Sequence, residues 1–195
     1  MRYLKITAQD DYDNDVVDTV HLEFFEGVKV KAVAEALAMN TPDQDHASLR
    51  WLMGEIIADD IDGNGVVSNV DGELARALAR QFLKFRWWRI DRPFNRYLEI
   101  VAEDLDLDGQ PDLVRLRFHE GEGPPTDDTL VDAAACIFLN DSAGSCFTLN
   151  EDVNGDSYID QRDAAFVEGL CRDFLKCNWN NVRVAKPGSF VDTPF

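Results

Sequence analysis

Two twelve-residue stretches place oxygen-bearing side chains at alternating positions, which is the arrangement a hard cation needs. The first is Asp60-Ile-Asp-Gly-Asn-Gly-Val-Val-Ser-Asn-Val-Asp71, and the second is Asp152-Val-Asn-Gly-Asp-Ser-Tyr-Ile-Asp-Gln-Arg-Asp163. Calcium takes six to eight oxygens at about 2.3–2.6 Å, and a tight loop with ligands at positions 1, 3, 5, 7, 9 and 12 supplies them locally. In the first loop the expected ligands are Asp60, Asp62, Asn64, the carbonyl of Val66, Ser68 through a water, and Asp71. In the second they are Asp152, Asn154, Asp156, the carbonyl of Tyr158, Asp160 and Asp163. Gly65 stands at position 6 of the first loop, where a left-handed residue is usual. Ser157 occupies that position in the second, at a cost on the order of 1 kcal/mol. Position 12 is Asp in both loops, a shorter reach than Glu, which suits the modest affinity that extracellular calcium satisfies. Val67 and Ile159, at position 8, are expected to face inward along a seam between paired loops.

Two further acidic turns invite the same chemistry. Asp104, Asp106, Asp108 and Asp112 stand at offsets 0, 2, 4 and 8, and the carbonyl of Gln110 adds a ligand. The turn between Asp10 and Asp18 has drifted from this pattern, with Asp11, Asp13 and Asp15 as a shifted set. Sixteen of the thirty-seven acidic residues lie in these four segments, so the formal charge of −18 is concentrated where cations would sit. The expectation is two to four Ca²⁺ ions, and four would bring the charge to −10. A chain this acidic repels a phosphate backbone, which argues against nucleic acid as partner. No apolar run is long enough to span a bilayer, and no signal peptide is visible at the start.

The elements that must position these loops repeat. Residues 2–27 match residues 96–121 at a shift of 94, with twelve of twenty-six positions identical. The twelve-residue loops repeat at a shift of 92. Leu4, Ile6 and Ala8 alternate with polar neighbours, as do Val20, Leu22 and Phe24, and the second copy shows the same period. That period of two predicts a β-hairpin at the start of each half, with one face buried. Helices are expected near 29–39, 46–58 and 129–139, and an amphipathic helix after each loop. Leu74, Leu78, Phe82 and Phe85 form one apolar stripe, and Phe166, Leu170, Phe174 and Cys177 form the other. The fold class expected is therefore α+β, in two pseudo-equivalent halves (1–90 and 91–195), each a hairpin followed by helices and a calcium loop. The segment joining them is short and aromatic, with Trp87 and Trp88 among arginines, so the halves are expected to pack as one unit.

Loops of this form followed by a single helix resemble type I dockerins. The likeness covers about 60–85 and 152–177. It implies duplicated calcium loops related by a pseudo-twofold axis, and docking onto a cohesin partner in a secreted or cell-surface assembly. The calcium roles it carries over fall on the loop positions named above.

Other chemistry finds less support. Cys136, Cys146, Cys171 and Cys177 permit two disulfides, but Cys171 and Cys177 lie six apart on an expected helix and face away from each other. No zinc spacing is present. His21, His46 and His119 are scattered, two of them at outward strand positions, and no nucleophile or phosphate-loop motif occurs. The reading is a non-catalytic, calcium-stabilised binding or assembly module. The alternatives are a calcium sensor or buffer and, behind it, a carbohydrate-active enzyme.

Overall fold

The computed structural model describes residues 2–10, 17–26, 29–40, 51–85, 96–107, 109–121, 123–137, 145–146 and 152–177. Eight strands form one antiparallel sheet: β1 (Arg2–Gln9), β2 (Thr19–Glu26), β3 (Lys29–Asn40), β4 (Trp51–Ala58), β5 (Arg96–Glu103), β6 (Leu113–Glu120), β7 (Leu130–Ile137) and β8 (Ser145–Cys146). Their order is β4-β3-β2-β1-β5-β6-β7-β8. Two sixteen-residue helices, α1 (Asn69–Lys84) and α2 (Gln161–Lys176), complete the described chain.

This overturns the α+β expectation of hairpins followed by helices. The segments expected as helices near 29–39 and 129–139 are strands β3 and β7, and the described part of 46–58 is strand β4. Alanine misled the reading. Ala32 and Ala34 on β3, and Ala134 on β7, suit a helix by intrinsic propensity. Yet they recur with a period of two, and all three are buried on one face of the sheet. Pairing along β2 and β6 overrides the local preference, and small side chains let α1 and α2 lie close over the sheet.

The sheet is symmetric about the β1–β5 junction. Lys5 pairs with Glu99, Leu4 with Ile100 and Ile6 with Leu98. Lys5 and Glu99 are themselves equivalent under the 94-residue shift, so a local twofold axis passes between them. The axis runs through the sheet and turns α1 and α2 antiparallel to one another. Phe85, just past the end of α1, lies 6.5 Å in ring-centroid distance from Phe166, near the start of α2. Gly169 of α2 faces Gln81 of α1, where an added Cβ would approach the Gln81 amide to 3.3 Å.

The core lies between the helices and one sheet face. Leu4, Ile6, Leu22, Phe24, Leu98, Ile100, Leu116 and Phe118 meet Leu78, Phe82 and Phe85 from one helix and Leu170, Phe174 and Cys177 from the other. The two stripes expected from the sequence are the surfaces buried here, with Leu74 and Phe166 half-buried at their ends. Each large side chain so buried contributes about 1.5–3 kcal/mol. Cys171 and Cys177 are buried thiols, and burial, with Asp173, Asp62 and Asp71 nearby, pushes the Cys177 thiol up to about 12. Cys136 stands opposite Cys146 in the β7–β8 register. Among the described residues no helix is long and apolar enough to cross a membrane.

Candidate metal centre

Each twelve-residue loop ends by starting a helix, and one residue serves both. Ser68 caps α1, its side chain accepting the amide of Val70 at 3.2 Å. Asp71 completes a capping box by accepting the Ser68 amide at 2.8 Å. The other oxygen of Asp71 turns back into the loop and accepts the amides of Ile61 at 2.9 Å and Asp62 at 3.2 Å. In the second loop Asp160 caps α2, and Asp163 accepts the amides of Asp160 (2.9 Å), Val153 (3.1 Å) and Asn154 (3.1 Å). Asp71 and Asp163 are fully buried, as are Ile61 and Val153 beside them. An anion at a helix N-terminus is favourable, which compensates part of the burial. Burial works to raise the Asp71 pKa, but the amides of Ser68, Asp62 and Ile61 and the Ser68 hydroxyl outweigh it and hold the carboxyl below its ordinary value.

The opening acid is wired equally closely. Asp60 accepts the amides of Asn64 at 3.1 Å and Gly65 at 2.8 Å, and Asp152 accepts those of Gly155, Asp156 and Ser157. Positions 4 and 6 of both loops are left-handed: Gly63 (φ 68°) and Gly65 (φ 89°), then Gly155 (φ 74°) and Ser157 (φ 73°). The expected departure at Ser157 is therefore tolerated without a change of backbone.

The β5–β6 turn follows the same plan. Counted from Asp104, positions 4 and 6 are Leu107 (φ 63°) and Gly109 (φ 91°), both left-handed. Asp104 accepts the amide of Gly109 at 2.8 Å, as Asp60 accepts that of Gly65. Asp112 accepts the amides of Leu105 at 2.7 Å and Asp106 at 3.3 Å, as Asp71 accepts those of Ile61 and Asp62. Three acidic turns thus share one geometry through position 6, although one closes a hairpin and two start helices.

Carboxylate oxygens converge in two of the three. Those of Asp60, Asp62 and Asp71 lie within 4.8 Å of one another, and so do those of Asp104, Asp106 and Asp112. Ligands on opposite sides of a calcium ion at about 2.3–2.6 Å are about 4.6–5.2 Å apart, so either set could hold one ion. Asn64 stays near the first set, donating to Asp62 at 2.7 Å, while Val66 and Ser68 follow in the loop positions expected of them. In the second loop no such trio forms among the described residues. There Arg162 reaches Asp156 at 3.4 Å, and Asp160 is occupied with the helix cap, while Asn154 accepts the Asp156 amide at 2.9 Å. Tyr158 is exposed. Gln110 lies within the β5–β6 turn, whereas Asp108, Asp11, Asp13 and Asp15 fall outside the described residues.

One expectation is reversed outright. Val67 and Ile159 do not face inward: they are 64% and 55% exposed, and the residue that anchors each loop to the core is position 2, Ile61 or Val153. The antiparallel helices set the two loops at opposite ends of the sheet, so no seam exists between them for position 8 to line.

Sequence reasoning also passed over a polar cluster on the sheet face away from the helices. His119 and Glu99 are both buried there, with Arg117 beside them. The signal available was a mismatch between the copies: the 94-residue shift puts Phe25 at the place of His119, Lys5 at that of Glu99 and Glu23 at that of Arg117. No family model, curated protein or solved structure matches the chain.

Proposed function

We propose that the protein is a non-catalytic, calcium-stabilised module whose acidic turns bind hard cations and fix the ends of a duplicated sheet. The observation that carries the reading is the recurrence of one cradle in three turns, two of which aim three carboxylates at a common point. Three like charges within 4.8 Å repel one another, at about 1 kcal/mol per pair even at the dielectric of water. A divalent ion turns that repulsion into attraction and adds ligand bonds to the anchor at Asp71. In this reading Asp60, Asp62, Asn64, Val66, Ser68 and Asp71 hold one ion, and Asp104, Asp106, Gln110 and Asp112 hold another. The loop from Asp152 to Asp163 binds more weakly, because Arg162 competes for Asp156. A secreted or cell-surface setting, with a protein partner in an assembly, belongs to the same proposal.

Stabilisation by ions that bind only the folded state follows mass action. Each site at one hundred times its Kd contributes about 2.7 kcal/mol. Calorimetric titration of metal-stripped protein with Ca²⁺ should show at least two sites, and excess chelator should lower the melting temperature by several degrees. Melting that is identical in calcium and in chelator would overturn the proposal.

A further inference from the structure

The two copies part company at one place on the sheet face away from the helices. Nine residues separate β6 from β7, where two separate β2 from β3. Thr126 and Asp127, on the longer connection, join Glu99, Arg117 and His119 in lining a cleft of about 50 Å³. Pro125 and Leu130 border it with apolar surface. In the first half the places of Glu99, Arg117 and His119 are taken by Lys5, Glu23 and Phe25. The charges are reversed, and the imidazole is replaced by a ring without nitrogen. The ring stack itself is common to both halves, Tyr97 on His119 at 4.9 Å and Tyr3 on Phe25 at 4.6 Å. The duplicated fold thus needs a flat ring there, and the polar set goes with the cleft.

Glu99 is the unusual member. It is only 3% exposed, yet one of its two oxygens does all the bonding. Oε2 lies 3.3 Å from Arg117 Nη1 and 3.4 Å from His119 Nε2. Oε1 has no partner among the described residues, and it is not sealed from solvent, which leaves it open to the cleft. Buried charges are ordinarily paired and hydrogen-bonded throughout. Arg117 spends one nitrogen on Glu99, and its Nε and Nη2 have no partner among the described residues. The Asp127 carboxylate has none there either. His119 is already spent: its Nδ1 lies 3.0 Å from the Thr129 hydroxyl and its Nε2 faces Glu99. It is a positioning residue that holds Glu99 in place.

Open acceptors and open donors therefore share one small space. Two carboxylates against one guanidinium disfavour an anion. A simple cation would satisfy the carboxylates but would face the guanidinium. A hydroxyl both donates and accepts. Two hydroxyls on neighbouring carbons can donate to Glu99 and Asp127 while accepting from Arg117. The cleft volume has room for about four waters, which is the size of an O–C–C–O unit. We propose that this cleft binds the vicinal diol of a sugar, with Glu99 and Asp127 as acceptors and Arg117 as donor. Pro125 and Leu130 meet the C–H surface of the ring. None of these residues belongs to an acidic turn, so the site needs no metal.

Four heavy atoms at about 1 kcal/mol each give a Kd on the order of 1 mM. The test is titration of the intact protein with mannose, galactose and glucose, each to about 100 mM, read by NMR of backbone amides and arginine Nε–H groups. At least one sugar should give saturable shifts at Thr126, Asp127 and the Arg117 Nε–H. Glu99→Gln should weaken that binding about tenfold, the loss of one hydrogen bond to a charged group. Asp127→Ala, at an exposed position that folding does not depend on, should do the same. The matching sugar without one hydroxyl of the pair should also bind about tenfold more weakly. Absence of saturable shifts with all three sugars, full affinity in Asp127→Ala, or equal binding of the deoxy sugar overturns the proposal. Saturation by methylammonium in place of sugar also overturns it, because the cleft would then be a cation site.

Discussion

The carboxylate of Asp71 accepts the amide of Ile61 at 2.9 Å, and both residues are wholly buried. This contact ties the last position of the first loop to the second, and the loop as a whole to the core. Asp163 and Val153 repeat it at 3.1 Å. Removing the carboxylate strands the buried amide of Ile61, which costs about 1–3 kcal/mol, and the half-buried or exposed amides of Asp62 and Ser68, which water can partly satisfy. Asp71→Ala should therefore lower stability by about 1–3 kcal/mol in chelator, before any metal is lost. Its melting temperature should also stop responding to calcium bound at that loop. Denaturant melts of the variant with and without Ca²⁺ measure both effects, and equal calcium shifts in variant and wild type would count against Asp71 as a ligand.

The same residue sets a direction for acid stability. Its folded pKa is depressed, so it contributes stability that is present above the unfolded carboxylate value and is lost as pH falls through the folded one. In metal-free protein, unfolding free energy should decline as pH drops below about 4. Asp71→Asn keeps the shape and removes the titration, so its curve should be flatter over that range. Urea melts along a pH series, compared between the two proteins, provide the measurement.

The acidic loops and the helices after them were legible because their signals are local. Ligand spacing, capping residues and a 3.6-residue stripe all lie within twenty-odd positions, from Asp60 to Phe85. Strands β3, β4 and β7 were not legible. The alanines of β3 and β7 favour a helix in isolation, and pairing with β2 and β6 decides otherwise, while β4 is set by its pairing with β3. A second expectation failed for a separate reason. The twelve-residue pattern led to paired loops, with Val67 and Ile159 turned inward along a seam between them. The eight-stranded sheet sets the loops apart and leaves both residues in solvent. The common backbone of the 104–112 turn and the two loops was half visible: the aspartate spacing announced it, but Leu107 at a left-handed position gave no signal at all.

Arg162 distinguishes the second loop from the first, where the equivalent residue is Val70. Its guanidinium lies 3.4 Å from Asp156, although the arginine itself is largely exposed. An exposed ion pair of this kind contributes about 0–1 kcal/mol to folding, so Arg162→Ala should leave the metal-free melting temperature nearly unchanged. The freed carboxylate should raise calcium affinity at this loop by up to about fivefold, the same energy expressed as binding. Titration calorimetry on the variant, with the other sites as internal reference, should show the tightening at one site alone. Weaker binding there would mean that the arginine holds Asp156 in its ligating position instead of competing for it.

Phe82 and Leu105 separate what the core contributes from what the turns contribute. Phe82 is fully buried beneath α1 among the apolar strand residues, whereas Leu105 is 66% exposed in the β5–β6 turn. Phe82→Ala removes a large ring from a packed interior and should cost about 3–5 kcal/mol, equally with and without calcium. Leu105→Ala should change metal-free stability by about 0.5 kcal/mol or less. Because the Leu105 amide, not its side chain, contacts Asp112, calcium binding at the turn should survive this substitution. If instead Leu105→Ala abolished one calcium site while Phe82→Ala melted like wild type, the assignment of stability to the helix–sheet core and of ligation to the turn's carboxylates would both be wrong. Thermal melts of the two variants, each in calcium and in chelator, decide the matter in four curves.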